Sequence, residues 1–240
     1  MIFVYSDLLS ESLLLFLTFA GSVVTALVLG IAMHEFSHAF SAYLLGDDTA
    51  KLRGRVSLNP LRHLDPTGTV FLMIGGFGWG KPTPVNPYNM RVAPDTGRAL
   101  TAAAGPLMNL LIASIAAAPI RTGLVDWRTP FLVPRSVSDW GFSEYAGLFL
   151  SAIIIFNIVL AVFNLLPIAP LDGFSVAVGI LPRDLSQSLA RLEQYGPGIL
   201  LLLLVMPFLT GGRISLLYDI MSPFINFFTN LIAGGGRALG

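Results

Sequence analysis

Two histidines four residues apart, His34 and His38, lie in the run Met33-His34-Glu35-Phe36-Ser37-His38-Ala39, and Glu35 follows the first of them. On a helix, positions i and i+4 share one face, so both imidazoles can reach one metal ion. A glutamate beside the first ligand can act as general base toward a water on that metal, the arrangement of metal-assisted peptide hydrolysis. The flanking residues are apolar, and ionisable groups inside an apolar helix are costly enough to mark function. The competing reading, two interior histidines hydrogen-bonded to neighbouring helices, leaves that cost unexplained.

A catalytic site of this kind needs a third protein ligand and keeps its fourth position for water. The chain has no cysteine and only three histidines, so thiolate sites and disulfides are excluded and a carboxylate must contribute. Asp172 is the candidate, in Asn164-Leu165-Leu166-Pro167-Ile168-Ala169-Pro170-Leu171-Asp172-Gly173, at the end of a long apolar run. The remaining histidine, His63, reads as a structural residue at a turn.

The elements that must position these groups are membrane helices. Of 240 residues, 54% are hydrophobic and 12% charged, where a soluble domain carries about 25% charged. Lys+Arg and Asp+Glu balance at 14 each, which offers no basic surplus for a nucleic-acid partner. From Leu8 to Leu45 there is no proline, so one long helix or two helices broken near Gly21 or Gly30 are expected, closed by Gly46-Asp47-Asp48. Its flank carries Asp7 and Glu11 rather than basic residues, which argues for a retained helix over a cleaved signal. Ala99 to Ile120 and Leu148 to Leu166 are good spanning helices. Ile199 to Leu209 is short and extends back toward Tyr195, while Ile214 to Ala233 can span or lie at the interface.

Between these helices the texture changes. Residues 51–58 alternate polar with apolar or glycine, the period of a strand, and are a candidate edge for holding an unwound substrate segment together with Phe71–Trp79. Thr69 to Phe77 is apolar but too short to span, which suggests a re-entrant or interfacial element. Pro82, Pro84 and Pro87 keep the next stretch extended. The expected fold is thus an all-α polytopic bundle of about four to six transmembrane helices, with a short β-hairpin or re-entrant element after the first helix. The whole chain, 1–240, is read as one domain in the lipid bilayer of the cell membrane. Half of the positive residues fall in 46–98, which places that segment in the cytoplasm and the N-terminus outside. His34, His38 and Asp172 then share the cytoplasmic side.

The paired motifs, with Gly54-Arg55-Val56-Ser57-Leu58-Asn59-Pro60, Gly78-Trp79-Gly80-Lys81-Pro82-Thr83-Pro84-Val85-Asn86-Pro87 and Gly105-Pro106-Leu107-Met108-Asn109, resemble the site-2 protease family of intramembrane zinc metallopeptidases, in its compact branch. The resemblance covers about residues 20 to 200 and departs from the pattern at Ala169, where proline is usual. It implies Zn²⁺ on His34, His38 and Asp172, and Glu35 as catalytic base or acid. It further implies Asn164 near the metal, holding the substrate carbonyl or oxyanion, and a membrane-protein substrate with a transmembrane segment. Asn109 and the Gly105-Pro106 pair read as packing and kink residues. Two rivals stand beside this: a non-catalytic helix-binding chaperone or receptor, and a metal transporter. The intact Glu35 and ligand set oppose the first, and the single site without a ladder of ligands opposes the second.

Overall fold

The apolar runs fold as helices in a computed structural model that describes residues 12–75, 78–130 and 139–235, with the backbone alone for 72–75. The acidic flank Asp7 and Glu11, and Gly76-Phe77 of the short apolar stretch, lie outside the described residues. Helix α1 (Leu13–Leu45) is unbroken. Its first turn is capped by Ser12, whose Oγ accepts from Leu15 N–H. It ends at Gly46, whose φ of 110° suits only glycine and turns its N–H back to the Ala42 and Tyr43 carbonyls. Neither Gly21 nor Gly30 interrupts it, and its 33 residues span roughly 50 Å.

The segment expected as a strand is not one. Residues 49–52 form a single helical turn, α2 (Thr49–Leu52). Gly54 follows with φ of 68°, left-handed backbone that a strand does not use. Local bonds from Gly54 N–H to Lys51 O and from Arg55 N–H to Ala50 O satisfy the backbone that a hairpin would have paired. The alternation of side chains therefore reflects a turn with Ala50 and Arg55 buried. Among the described residues the sole β pairing is an isolated bridge between Leu64 and Gly80. Helix α3 (Pro66–Gly75) has ten residues, roughly 15 Å, too short to cross a bilayer.

Helices α4 (Pro94–Arg121) and α5 (Phe142–Asn164) complete a tightly packed trio with α1. Leu15, Phe19, Val23, Ala26 and Leu27 pack against Leu148, Ala152, Ile153 and Phe156. Helix α5 is buried over nearly its whole circumference, as expected of a central helix. After it come α6 (Asp172–Ile180), α7 (Arg183–Ala190), a 3₁₀ turn Glu193–Tyr195, α8 (Gly196–Leu209) and α9 (Leu216–Ala233).

Among the described residues, five runs are long and apolar enough to cross a membrane: Leu13–Leu45, Pro94–Arg121, Phe142–Asn164, Arg183–Leu209 and Leu216–Ala233. The fourth is interrupted, and its apolar helix α8 has 14 residues, roughly 21 Å. At the end of α4, Arg121 Nη1 donates to Leu231 O at 2.7 Å and Ile232 O at 3.2 Å, bonding the last carbonyls of α9. Helices α4 and α9 therefore end side by side and run in the same direction.

Candidate metal centre

The three predicted ligands come from two parts of this bundle. His34 and His38 lie one turn apart on α1, both buried, with their rings edge to face at 4.6 Å. Asp172 is not on the preceding spanning helix, as its motif suggested, but opens α6 after the return loop 165–171. Gly173 makes that return possible, because a Cβ there would stand 2.1 Å from Leu165 O and 2.5 Å from Leu166 O. The loop folds back on the end of α5, and Asp172 meets the histidines.

One ligand atom from each of His34, His38 and Asp172 lies within 4.8 Å of the others, so the group could hold a metal ion. Asp172 Oδ2 is 2.9 Å from His34 Nε2 and 3.3 Å from His38 Nε2, which are ion-pairing distances. Yet this buried oxygen has no hydrogen-bond donor. The reason is that the ring hydrogens are used elsewhere. His34 Nδ1 lies 2.7 Å from Asn109 Oδ1, and His38 Nδ1 lies 2.7 Å from the Thr101 carbonyl. Both partners are acceptors, so each neutral ring carries its hydrogen on Nδ1 and turns a bare Nε2 inward. Two imidazole lone pairs and a carboxylate oxygen converge with no hydrogen between them, which a cation satisfies. The nitrogen and oxygen donors suit Zn²⁺.

Space for the ion comes from α4. A Cβ on Gly105 would sit 2.6 Å from both Nε2 atoms, so the missing side chain leaves the volume where the lone pairs meet. Pro106 follows and has no N–H for the Ala102 carbonyl, which loosens this turn.

Glu35 is half-buried and lines the same cavity as the three ligand candidates. Thr83 Oγ1 lies 2.8 Å from Glu35 Oε2 and 3.1 Å from Glu35 O. Thr83 belongs to a proline-rich strap that is anchored along its length. Lys81 N–H donates to His63 O, Arg55 Nη2 to Pro82 O, and Asn86 N–H to Asp47 Oδ2. Asp47 sits at the foot of α1. Burial would push its carboxyl up, but bonds from Asn86, Thr49 and Asn89 outweigh it and hold the group below the usual carboxylate range. His63 is fully buried and bonds Ser57 O through Nε2, in keeping with a structural residue at a turn.

The cavity measures about 1140 Å³. Asp95, Arg98 and Ser175 give it a polar rim, and Phe156, Leu160, Leu204 and Met221 an apolar wall. Asn164 also lines it, with one amide hydrogen bonded to Leu160 O at 2.9 Å. Its second amide hydrogen remains for another acceptor.

Four contributors were passed over or misread in the sequence: Asn109, Asn157, Gly105 and Thr83. Asn109, read there as a packing residue, bonds a candidate ligand directly. Asn109 and Asn157 carried a usable signal, since an uncharged polar side chain in an apolar helix seeks a partner helix. Gly105 and Thr83 lie in motifs that carried the resemblance, but residue type and spacing gave neither a role at the metal.

Fold and site together define a multi-pass membrane protein built around a His–His–carboxylate group that could hold a metal ion. Known proteins place it further. YwhC of Bacillus subtilis (strain 168), named as a zinc metalloprotease, is 36% identical over 209 residues, covering 81% of this chain and 89% of its own length. Rip2 of Mycobacterium tuberculosis (strain ATCC 25618 / H37Rv), named likewise, is 31% identical over 84% of this chain and 74% of its own. Rip2 of Mycolicibacterium smegmatis is 27% identical over 90% and 78%. No family model matches the chain, and no solved structure does. The chain belongs to the site-2 protease family and is a zinc metalloprotease.

Proposed function

We propose that this zinc metalloprotease is an endopeptidase that hydrolyses peptide bonds in or near transmembrane segments of membrane-protein substrates. The observation that carries the reading is the convergence of His34 Nε2, His38 Nε2 and Asp172 Oδ2 in a buried wall of a cavity among membrane helices. In this reading those three groups are the zinc ligands. Bound zinc supplies Lewis acidity and activates water at neutral pH.

The chain's own residues do the rest. Glu35 takes a proton from the attacking water and passes it to the leaving amine, and Thr83 holds its carboxylate from the strap side. Asn164 offers its free amide hydrogen to the scissile carbonyl oxygen as charge develops there. A helix hides its carbonyls in its own hydrogen bonds, so the substrate unwinds locally before attack. Water enters along the polar rim at Asp95 and Arg98, near the start of α4. That rim faces the cytoplasm if the basic segment 46–98 does, with the start of α1 outside.

The test uses purified protein in detergent or liposomes and a transmembrane peptide, with Glu35→Gln alongside. We expect the variant to keep stoichiometric zinc while cleavage falls on the order of 10²- to 10⁴-fold. A variant that keeps its zinc and cleaves at the parent rate overturns the mechanism. A parent that binds zinc and never cleaves supports a non-catalytic helix-binding role instead.

A further inference from the structure

The three transmembrane helices of the trio are joined by one chain of side-chain amides, and its direction is determined at every link. Asn157 on α5 is fully buried, and its Nδ2 donates to its own helix at Ile153 O, 2.9 Å away. A carbonyl only accepts, so this bond fixes the amide and turns Oδ1 outward. Asn157 Oδ1 then receives Asn109 Nδ2 at 3.0 Å. Asn109, also fully buried, donates from the same nitrogen to Gly30 O on α1 at 3.1 Å. With both amide hydrogens used, Asn109 Oδ1 faces His34 Nδ1 at 2.7 Å.

The anchors at both ends are backbone carbonyls, so reversing either amide would set like against like. Gly30 completes the arrangement. A Cβ at this position would come 3.0 Å from Asn157 Oδ1 and 2.8 Å from Leu160 Cδ1, so glycine leaves room for Asn157 beside α1 while Asn109 bonds its backbone.

We infer that Asn157 and Asn109 are positioning residues for the metal centre. Together they hold His34 in the tautomer with hydrogen on Nδ1 and aim its Nε2 at the position shared with His38 Nε2 and Asp172 Oδ2. Partners of this kind orient ligands and raise their basicity. The two histidines differ in this respect. His38 is oriented by the main-chain carbonyl of Thr101, which no substitution removes, whereas His34 depends on a side chain two helices deep. The inference rests on His34 being a zinc ligand.

The experiment measures zinc affinity by chelator competition, and the d–d absorption of the Co²⁺-substituted protein, for the parent, Asn109→Leu, Asn109→Asp and His34→Ala. Melting of each metal-free protein shows whether it is folded. Asn109→Leu preserves size and removes the acceptor, so we expect zinc affinity to fall about 10- to 100-fold, with a shifted Co²⁺ spectrum. Asn109→Asp restores an acceptor for His34 and, as a neutral acid, a donor toward Asn157, and should recover most of the affinity and the parent spectrum. Asn157→Leu, measured alongside them, leaves Asn109 with Gly30 O as the one acceptor for its amide hydrogens and should fall between. Parent affinity and spectrum in Asn109→Leu, or no recovery in Asn109→Asp, overturns the positioning role. If His34→Ala itself keeps parent affinity, the ligand assignment fails, and that outcome is separate from failure of the amide chain alone.

Discussion

The trio α1, α4 and α5 and the arm α8–α9 share one cavity but are built differently. In the trio, Asn109 and Asn157 are fully buried and paired across helices, and the backbones meet at residues without bulk: Gly30, Gly105, Ala113 and Ala117. In α8 only Gly196 and Leu200 are buried, and Leu201, Leu202, Phe208 and Leu209 are exposed to the surroundings. Apolar side chains gain little from leaving lipid for one another, so close packing and hydrogen bonds hold membrane helices together. The trio has both. Helix α8 is pinned mainly at its start, where Gly196 lies against Ala169 and Leu200 enters the core. The two candidate histidine ligands, whose ring atoms a metal would need held to a fraction of an ångström, sit on the first region. The second supplies cavity wall at Leu204, Leu217 and Met221.

The largest effect that can break this contrast is at Gly105. Gly105→Ala places a methyl group 2.6 Å from both Nε2 atoms, with no flexible neighbour to yield. Zinc content should drop to background, and overpacking should destabilise the fold by about 1–3 kcal/mol. Metal analysis and thermal melting read the two separately. A zinc-loaded Gly105→Ala variant would mean that the trio is no more tightly set than the arm.

Next comes the direction of the arm. Because Arg121 bonds the last carbonyls of α9, α8 and the turn after it must stay on the side where α4 begins. The chain has no cysteine, so single substitutions label cleanly. Arg53→Cys, Leu124→Cys and Arg213→Cys stand at exposed positions: past the end of α1, past the end of α4 and in the turn between α8 and α9. A membrane-impermeant maleimide should reach Arg213→Cys from the same side as Arg53→Cys and from the side opposite Leu124→Cys. Labelling from the Leu124 side would mean that α8 crosses, and the parallel run of α4 and α9 would fall.

What was legible in the sequence follows the same division. Apolar length, the i, i+4 histidines and glycine stops are local properties, so the long helices, the turn at Gly46 and the candidate ligands could be read directly. Direction was not, because hydropathy records that Ile199–Leu209 is apolar and says nothing of which way it runs. The strand expected at residues 51–58 failed for a related reason. A period of two describes side-chain character, while Gly54 and the local bonds to Ala50 and Lys51 decide the backbone. The pairing of Asn109 with Asn157 was hidden because it joins helices 48 positions apart in sequence. Asp172 could be found as a carboxylate at the end of an apolar run, but the return loop that delivers it could not.

The smallest effect sharpens the contrast from the other side. Gly198 lies in the first turn of α8, with nothing within 4 Å of where a Cβ would be. Its backbone is not left-handed, so alanine fits without strain. Glycine in a helix is less favourable than alanine by about 0.5–1 kcal/mol. Gly198→Ala should therefore leave zinc content and cleavage unchanged and raise stability by no more than that amount, which melting in detergent can detect. The same glycine-to-alanine change thus removes the metal in the trio and slightly stabilises the arm. A loss of zinc in Gly198→Ala would show that α8 is coupled to the metal centre through contacts that its exposure does not reveal.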